Sequence, residues 1–278
     1  MALVLENGVW KLQEDAAAST AIWSVDFTTE SSHDFTSTAT ATIQGVDWTI
    51  ANATNATTFQ ITNGTGLEII VNAAVYWYSR NGAPEITADF SDLVAGGASG
   101  AFDAEKMYVW RIIMTAGSPD PAADYEGPFT GLRTSATLTT VGTQRHLGIL
   151  NNSGGSKTIR SGKAATGYPT YAADLVSGSA TTPWPSGLTA YPRTLTNTYF
   201  RGVYQTIVSE NAETDPLGGK VGHIGYQVNA NSTGQALDTS TPTFDLTAAA
   251  SKAYIGCNGR TSGDSQKFIV EKAELHEL

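Results

Sequence analysis

Apolar and polar residues alternate along most of this chain, which is the two-residue period of a β-strand whose faces meet different surroundings. No stretch keeps the 3.6-residue period of a helix over three turns. Only DFSDLVAG at 89–96 predicts one helical turn, with Asp89 or Ser91 as its cap. The pattern therefore predicts an all-β protein. The predicted strand segments are 36–50, 57–62, 67–72, 75–79, 85–90, 107–114, 136–141, 145–150, 198–209, 220–228, 252–257 and 267–276.

Residues between these segments favour antiparallel connections. Asn63-Gly64 separates two strands and accepts the positive φ of a type I′ hairpin turn, and the 36–50 segment turns at Gly45. Thr and Gly are frequent and both resist helix, Thr through its stiff side chain and Gly through backbone entropy. A dozen or so strands joined in this way predict an antiparallel β-sandwich of two sheets with long loops.

The length of 278 residues permits one large sandwich rather than several domains. We expect residues 1–20 to form an N-terminal arm and residues 21–278 a single β-sandwich domain. The region around 161–191 is rich in Gly, Ser, Thr and Pro, which is typical of a surface loop around a few short strands. Loops of this length are usually functional or form interfaces.

The chain is acidic, with 16 Lys and Arg against 26 Asp and Glu and a net charge of −10. Lys and Arg are absent between Leu12 and Ser79. Nucleic-acid binding is therefore not expected, since phosphates are neutralised by clustered basic side chains. The single cysteine, Cys257, excludes an internal disulfide and a multi-cysteine zinc site. Because no apolar run reaches the roughly 18 residues of a membrane span, and residues 1–10 lack a basic signal start, we expect neither membrane insertion nor secretion.

Two groups of residues are candidates for ligand binding. Asp120, Asp124 and Glu126 lie in one Pro-broken segment, where hard oxygen ligands favour calcium; the alternative is a solvated acidic turn. Tryptophans at positions 77, 110 and 184 are candidates for stacking on sugar rings. Trp77 and Trp110 lie in predicted strands that place aromatic residues on both faces of a sheet, so core packing is the alternative for them.

The closing segment 243–278 contains Ile255-Gly256, a Gly/Ser loop over 258–266, and a last strand from Phe268 to Leu275. In these features it resembles the end of a concanavalin A-like (LamG-like) jelly roll. The opening MALVLENG and the Thr/Ala/Gly-rich, Lys-poor composition are similar to structural proteins of tailed phages. The two resemblances together imply a lectin-like sandwich in a virion, synthesised in the host cytoplasm, with other virion proteins or further copies of itself as partners.

The segment TYFRGVYQ at 198–205 resembles a strand of jelly-roll alginate lyases. That resemblance implies Tyr204 as the catalytic acid/base, Arg201 as the basic residue, and Gln144 with His146 as the neighbouring Gln-x-His pair. The chain departs from the family in two places. One residue is missing between Arg201 and Gly202, which puts Arg201 and Tyr204 on opposite faces unless a bulge intervenes. The segment RTSAT from Arg133 also lacks the Glu and second Arg of the family.

Three classes of function follow from these patterns. The expected one is a virion structural protein of a tailed phage, in capsid decoration or in a tail or fibre, acting by protein–protein assembly and without a cofactor. The alternatives are a glycan-binding lectin-like module, with calcium as its possible ion, and a polysaccharide lyase or glycan hydrolase. An enzyme is the less expected outcome, because the acidic balance offers no cationic groove for a polyuronate.

Overall fold

The computed structural model describes residues 2–6, 9–13, 20–71, 83–94, 106–116, 127–133, 145–153, 156–164, 182–183, 193–200, 203–209, 211–213, 220–223, 251–258 and 266–278. Their backbone is almost entirely extended, which confirms the predicted all-β class. None of the helices in these ranges is long and apolar enough to cross a membrane. The predicted strands 75–79 and 136–141 lie outside the described residues.

The described part of the chain contains nineteen strands, one short α-helix and one 3-10 turn. The strands are β1 (Ala2–Glu6), β2 (Val9–Gln13), β3 (Ala21–Asp26), β4 (His33–Asp34), β5 (Thr40–Ile43), β6 (Val46–Ala51), β7 (Thr58–Thr62), β8 (Gly66–Val71), β9 (Glu85–Asp89), β10 (Tyr108–Ala116), β11 (Gly127–Arg133), β12 (Arg145–Ser153), β13 (Ser156–Ala164), β14 (Thr182–Pro183), β15 (Thr194–Phe200), β16 (Val203–Ser209), β17 (Lys220–His223), β18 (Lys252–Asn258) and β19 (Gln266–Glu277). The helix is α1 (Phe90–Val94), the single turn that the sequence predicted, and the 3-10 turn is Ala53–Asn55.

The strands of the described ranges form two large antiparallel sheets. The nine-stranded sheet has the order β17-β16-β15-β10-β19-β8-β7-β4, with β3 also paired to β19. The eight-stranded sheet has the order β14-β13-β12-β11-β18-β9-β6-β5. β1 and β2 pair with each other as a hairpin. This topology confirms the two-sheet antiparallel sandwich.

A cluster of three tryptophans lies in the core between the two sheets. Trp23 and Trp110 come from the nine-stranded sheet, and Trp48 comes from the eight-stranded sheet. Their ring centroids are 5.6 to 6.2 Å apart. The Trp110 indole nitrogen donates a hydrogen bond of 2.6 Å to Thr130 Oγ1 on the opposite sheet, which ties the two layers together.

Two hairpins confirm the predicted antiparallel connections, but the type I′ turn lies in the other hairpin from the one predicted. β5 and β6 are joined by Gln44 and Gly45, which both have positive φ (49° and 77°), as a type I′ turn requires. β7 and β8 are joined at Asn63-Gly64, where only Gly64 has positive φ and Thr65 N donates to Thr62 O. The expected type I′ turn at Asn63-Gly64 was therefore wrong.

Two strand boundaries also differ from the predictions. The segment 198–209 is not one strand: β15 and β16 pair as a hairpin in which Phe200 lies opposite Val203. Gly202 lies in sequence between the two paired segments, and glycine is a turn signal. Residues 161–164, which were predicted to belong to the loop around 161–191, are the end of β13, and β13 pairs with β12 along its whole length. Long-range pairing overrides the weak local β-propensity of this polar segment.

Gly256 lies where the backbone of β18 closely approaches other atoms of the sheet. A Cβ built on Gly256 would lie 2.7 Å from the backbone oxygen of Pro84 and would also overlap the ring of Phe129. We therefore expect Gly256→Ala to lower the free energy of unfolding by about 1–3 kcal/mol, the usual cost of overpacking. Chemical denaturation measures this change, and an unaltered midpoint would contradict the close approach.

Candidate functional site

Most of the predicted ligand-binding residues lie outside the described residues, and they stay predictions. They are Trp77, Trp184, Asp120, Asp124, Glu126, Gln144 and Arg201. Within the described ranges, no group of three His, Cys, Asp or Glu side chains is placed to hold a metal ion.

The two described lyase-like candidates lie in different sheets. His146 is in β12 of the eight-stranded sheet, opposite Leu132 and Lys163. Tyr204 is in β16 of the nine-stranded sheet, opposite Tyr199. The resemblance to alginate lyases implies a tyrosine strand beside the Gln-x-His strand, and the topology does not place them side by side.

Trp110 is a core residue and not a surface platform. Its ring is fully buried in the tryptophan cluster, and its indole nitrogen is bonded to Thr130. The sequence pattern allowed either face, because β10 has large apolar residues at nearly every position. The alternation along β10 puts Tyr108, Trp110 and Ile112 in the core between the sheets, so stacking of a sugar on Trp110 was the wrong interpretation.

An ionic cluster lies on the outer face of the nine-stranded sheet, the face turned away from the other sheet. Arg111 in β10 pairs directly with Glu274 in β19, and its guanidinium binds the carboxylate through Nε at 2.9 Å and through Nη2. His276 Nε2 lies 3.2 Å from Glu274 Oε2, and Lys272 Nζ lies 2.9 Å from Oε1. The side chains of Arg111, Glu274 and His276 are 3%, 7% and 4% exposed. Charged groups buried to this extent need hydrogen-bonding partners, and the Glu274 carboxylate is the shared partner of Arg111, Lys272 and His276.

Electrostatics fix Glu274 as a carboxylate. Burial alone raises its pKa, but hydrogen bonds from His276, Lys272 and Arg111 outweigh burial and hold the pKa well below its usual range. A general acid needs a pKa near the working pH. Glu274 is therefore suited to accepting hydrogen bonds from Arg111, Lys272 and His276 and not to giving up a proton.

A row of threonines continues this outer face on β15. Thr194, Thr196 and Thr198 alternate with the inward-facing Leu195 and Asn197, and Thr196 lies directly opposite Arg111. The Thr196 hydroxyl is fully buried, and no described residue shares a hydrogen bond with it. A buried hydroxyl without a partner costs about 1–3 kcal/mol, so the hydroxyl of Thr196 destabilises the fold locally.

Strand β5 forms a solvent-exposed edge of the eight-stranded sheet, as the structure describes it. Residues 36–40 and Thr42 are exposed, and β6 is the only described strand that pairs with β5. The outer face here carries hydroxyl groups: Thr40 Oγ1 lies 3.0 Å from Thr49 Oγ1, and Thr42 Oγ1 donates to Asp47 Oδ1 at 2.6 Å. An exposed strand edge is a ready template for another chain.

Two matching turns lie before this edge. In DFTT at 26–29 and DFTS at 34–37, the Asp Oδ1 accepts hydrogen bonds from the backbone nitrogen and hydroxyl of the Thr two residues later. The Phe of each turn is buried and anchors it to the core. The hydrogen bonds from Thr36 lower the pKa of Asp34, so this side chain stays negative beside the edge.

The chain matches no family model and none of the curated proteins. Solved structures with a similar fold include the carbohydrate recognition domain of Emp47p, at 12% identity and a TM-score of 0.48, covering 95% of this chain and 99% of that one. The CBM2 module of the evolved Dit of Lactobacillus casei BL23 phage J-1 is 11% identical with a TM-score of 0.47, and the match covers 93% of this chain and 95% of that one. A mutant Trypanosoma rangeli sialidase with trans-sialidase activity is 13% identical with a TM-score of 0.37. The match covers 83% of this chain but only 27% of the sialidase. Likeness at this identity concerns the fold alone.

Proposed function

We propose that this chain is a structural component of a tailed-phage virion, a lectin-like sandwich that works by binding other proteins of the particle. The open β5 edge is the observation that carries the proposal, because it exposes an uncharged strand where monomeric proteins usually block pairing. The acidic, Lys-poor composition and the resemblance of the opening residues to phage structural proteins agree with it.

The ionic cluster supports the same proposal. The Glu274 carboxylate is bonded to Arg111, Lys272 and His276 and is almost completely buried, so these side chains hold one another in fixed positions. A rigid sandwich with a free edge suits a protein that is assembled into a larger particle.

Immunogold electron microscopy tests this proposal. Antibodies raised against the purified chain should label gradient-purified phage particles from the source lysate at one defined part of the capsid or tail. Antibodies absorbed with the purified chain are the control. Particles that remain unlabelled, in a lysate where the antibody detects the free chain, would overturn the proposal.

The buried, unpaired hydroxyl of Thr196 leads to a prediction about stability. Thr196→Val should leave the free energy of unfolding unchanged or raise it by about 1 kcal/mol, since it removes an unpaired buried hydroxyl from a strand. Thr130→Val is the matched control, because its hydroxyl accepts from Trp110 and donates to Tyr254 O. Urea denaturation should show a loss of about 1–3 kcal/mol for the control. A comparable loss in Thr196→Val would mean that its hydroxyl is bonded.

A further inference from the structure

The outward hydrogen-bonding groups of β5 follow from its register with β6. Ile50 N donates to Ala39 O, and Ile43 lies opposite Val46 across the two-residue turn. Pairs that exchange hydrogen bonds therefore involve residues 39, 41 and 43 of this strand segment. The backbone N–H and C=O groups of Thr40 and Thr42 point away from β6, toward the open edge.

This edge lacks the features that normally prevent pairing. The segment TSTATATI at 36–43 has no charged residue and no proline. Its register with β6 runs without a bulge from Thr40 to Ile43. Natural sheets usually block edges with lysine, proline, bulges or a covering segment, so an unblocked edge is a place where a strand can be added.

Three carboxylates lie close to the edge. Asp34 Oδ1 accepts from Thr36 just before β5, Glu30 Oε1 accepts from Gln44 just after it, and Asp47 Oδ1 accepts from Thr42 within it. No Lys or Arg occurs anywhere in 20–71, and the ring of nearby His33 is bonded to Thr38 O. A second copy of this chain would bring these carboxylates against each other, which is unfavourable, whereas a basic strand would be attracted.

We propose that the β5 edge is the docking site for an extended strand of another protein that carries Lys or Arg side chains. The added strand pairs with the free backbone groups of Thr40 and Thr42, and its basic side chains face Asp34, Glu30 and Asp47. This inference rests on the proposed assembly function and names the chemistry of its partner.

A peptide that alternates Lys with Val is the probe, tested on the full purified chain. Fluorescence anisotropy should show saturable binding that weakens about tenfold between low and high salt, since the flanking charges are exposed and screened. Hydrogen exchange followed by NMR should show new protection at the amides of Thr40 and Thr42, while Ala41, already bonded to β6, should not change. The matched peptide with Glu in place of Lys should not bind.

Two variants locate the binding at the edge. Thr42→Pro removes the outward N–H and leaves the ladder bonds to β6, and it should weaken binding of the Lys peptide at least tenfold. Thr42→Lys keeps the N–H, repels the peptide and should weaken binding likewise, which covers the case in which the proline variant misfolds. Thr49→Ala, on the same exposed face but away from the edge, is the control and should bind as the wild type does.

Three results would overturn the docking proposal: equal binding of the Lys and Glu peptides, full binding by both Thr42 variants, or a dimer that Thr42→Pro dissociates and the peptide does not affect. The test uses the purified chain alone, so it is independent of the virion experiment. Labelled particles with no peptide binding would remove only the docking site, and peptide binding with unlabelled particles would remove only the virion role.

Discussion

Replacing Glu274 by Gln should destabilise the protein by about 3–5 kcal/mol, the usual cost of removing one partner from a buried ion pair. The variant keeps the size of the side chain but takes the Glu274 carboxylate charge away from the buried Arg111 guanidinium, beside His276. Thermal unfolding should show a decrease in Tm on the order of 10 °C for a chain of this size.

The matched control is Glu277→Gln on the same strand. Glu277 pairs with Lys106, and both of these side chains are partly exposed. Glu277 also accepts from the Tyr108 hydroxyl, for which Gln keeps an acceptor oxygen, so the loss should stay below about 1 kcal/mol. The double variant Arg111→Met with Glu274→Leu should recover much of the loss, because apolar side chains replace the buried pair together. Equal effects of Glu274→Gln and Glu277→Gln would contradict the buried cluster.

The cluster also sets a dependence on pH. Since the pKa of Glu274 is lower in the folded chain than its ordinary value of 4.5, its stabilising contribution is complete above that value and is lost as the pH falls below it. The wild type should therefore lose more stability between pH 5 and acid than Glu274→Gln does, so that their unfolding curves converge. Curves that stay parallel would contradict the lowered pKa.

Replacing Trp110 by Ala should cost about 3–5 kcal/mol, because it opens a large cavity between the sheets and breaks the tryptophan cluster. Thr130 also loses its indole donor. Denaturation in urea measures the change. A fluorescence shift in the same titration reports whether Trp23 and Trp48 become exposed together, as a single core requires.

Two phenylalanine variants separate packing from hydrogen bonding at this cluster. Trp110→Phe loses ring area and the bond to Thr130, whereas Trp48→Phe loses only ring area, since no described residue accepts a bond from Trp48 Nε1. Trp110→Phe should therefore cost more, by about 0.5–1.5 kcal/mol. Were Trp110 instead a sugar platform on the surface, Trp110→Ala would leave the stability unchanged.

The β-sandwich was predictable from the sequence because most of its strands carry a clear two-residue period. Alternation at 36–50 predicts β5, β6 and the turn at Gly45 as the structure has them. The two-residue period does not determine which strands lie in the same sheet. His146 and Tyr204 illustrate this, since pairing between strands distant in sequence depends on packing of the whole chain.

The ionic cluster was missed because a β-bulge changes the alternation inside β19. Strict alternation over 267–276 would place Lys272 and Glu274 on the same face as Phe268 and Val270, in the core. The register with β10 skips Glu271, so Phe268 and Val270 before the bulge and Ala273 and Leu275 after it all reach the core. Two consecutive polar residues, Glu271 and Lys272, were the signal in the sequence. A lone arginine in the apolar run of β10 was a second one.

The proposed virion role is tested most directly by quantitative mass spectrometry across a density gradient of a phage lysate that contains this chain. We expect the chain to co-sediment with infectious particles, in a fixed ratio to their major capsid protein, and the ratio to stay constant through repeated banding. A chain found only in the soluble fractions at the top of the gradient would contradict it.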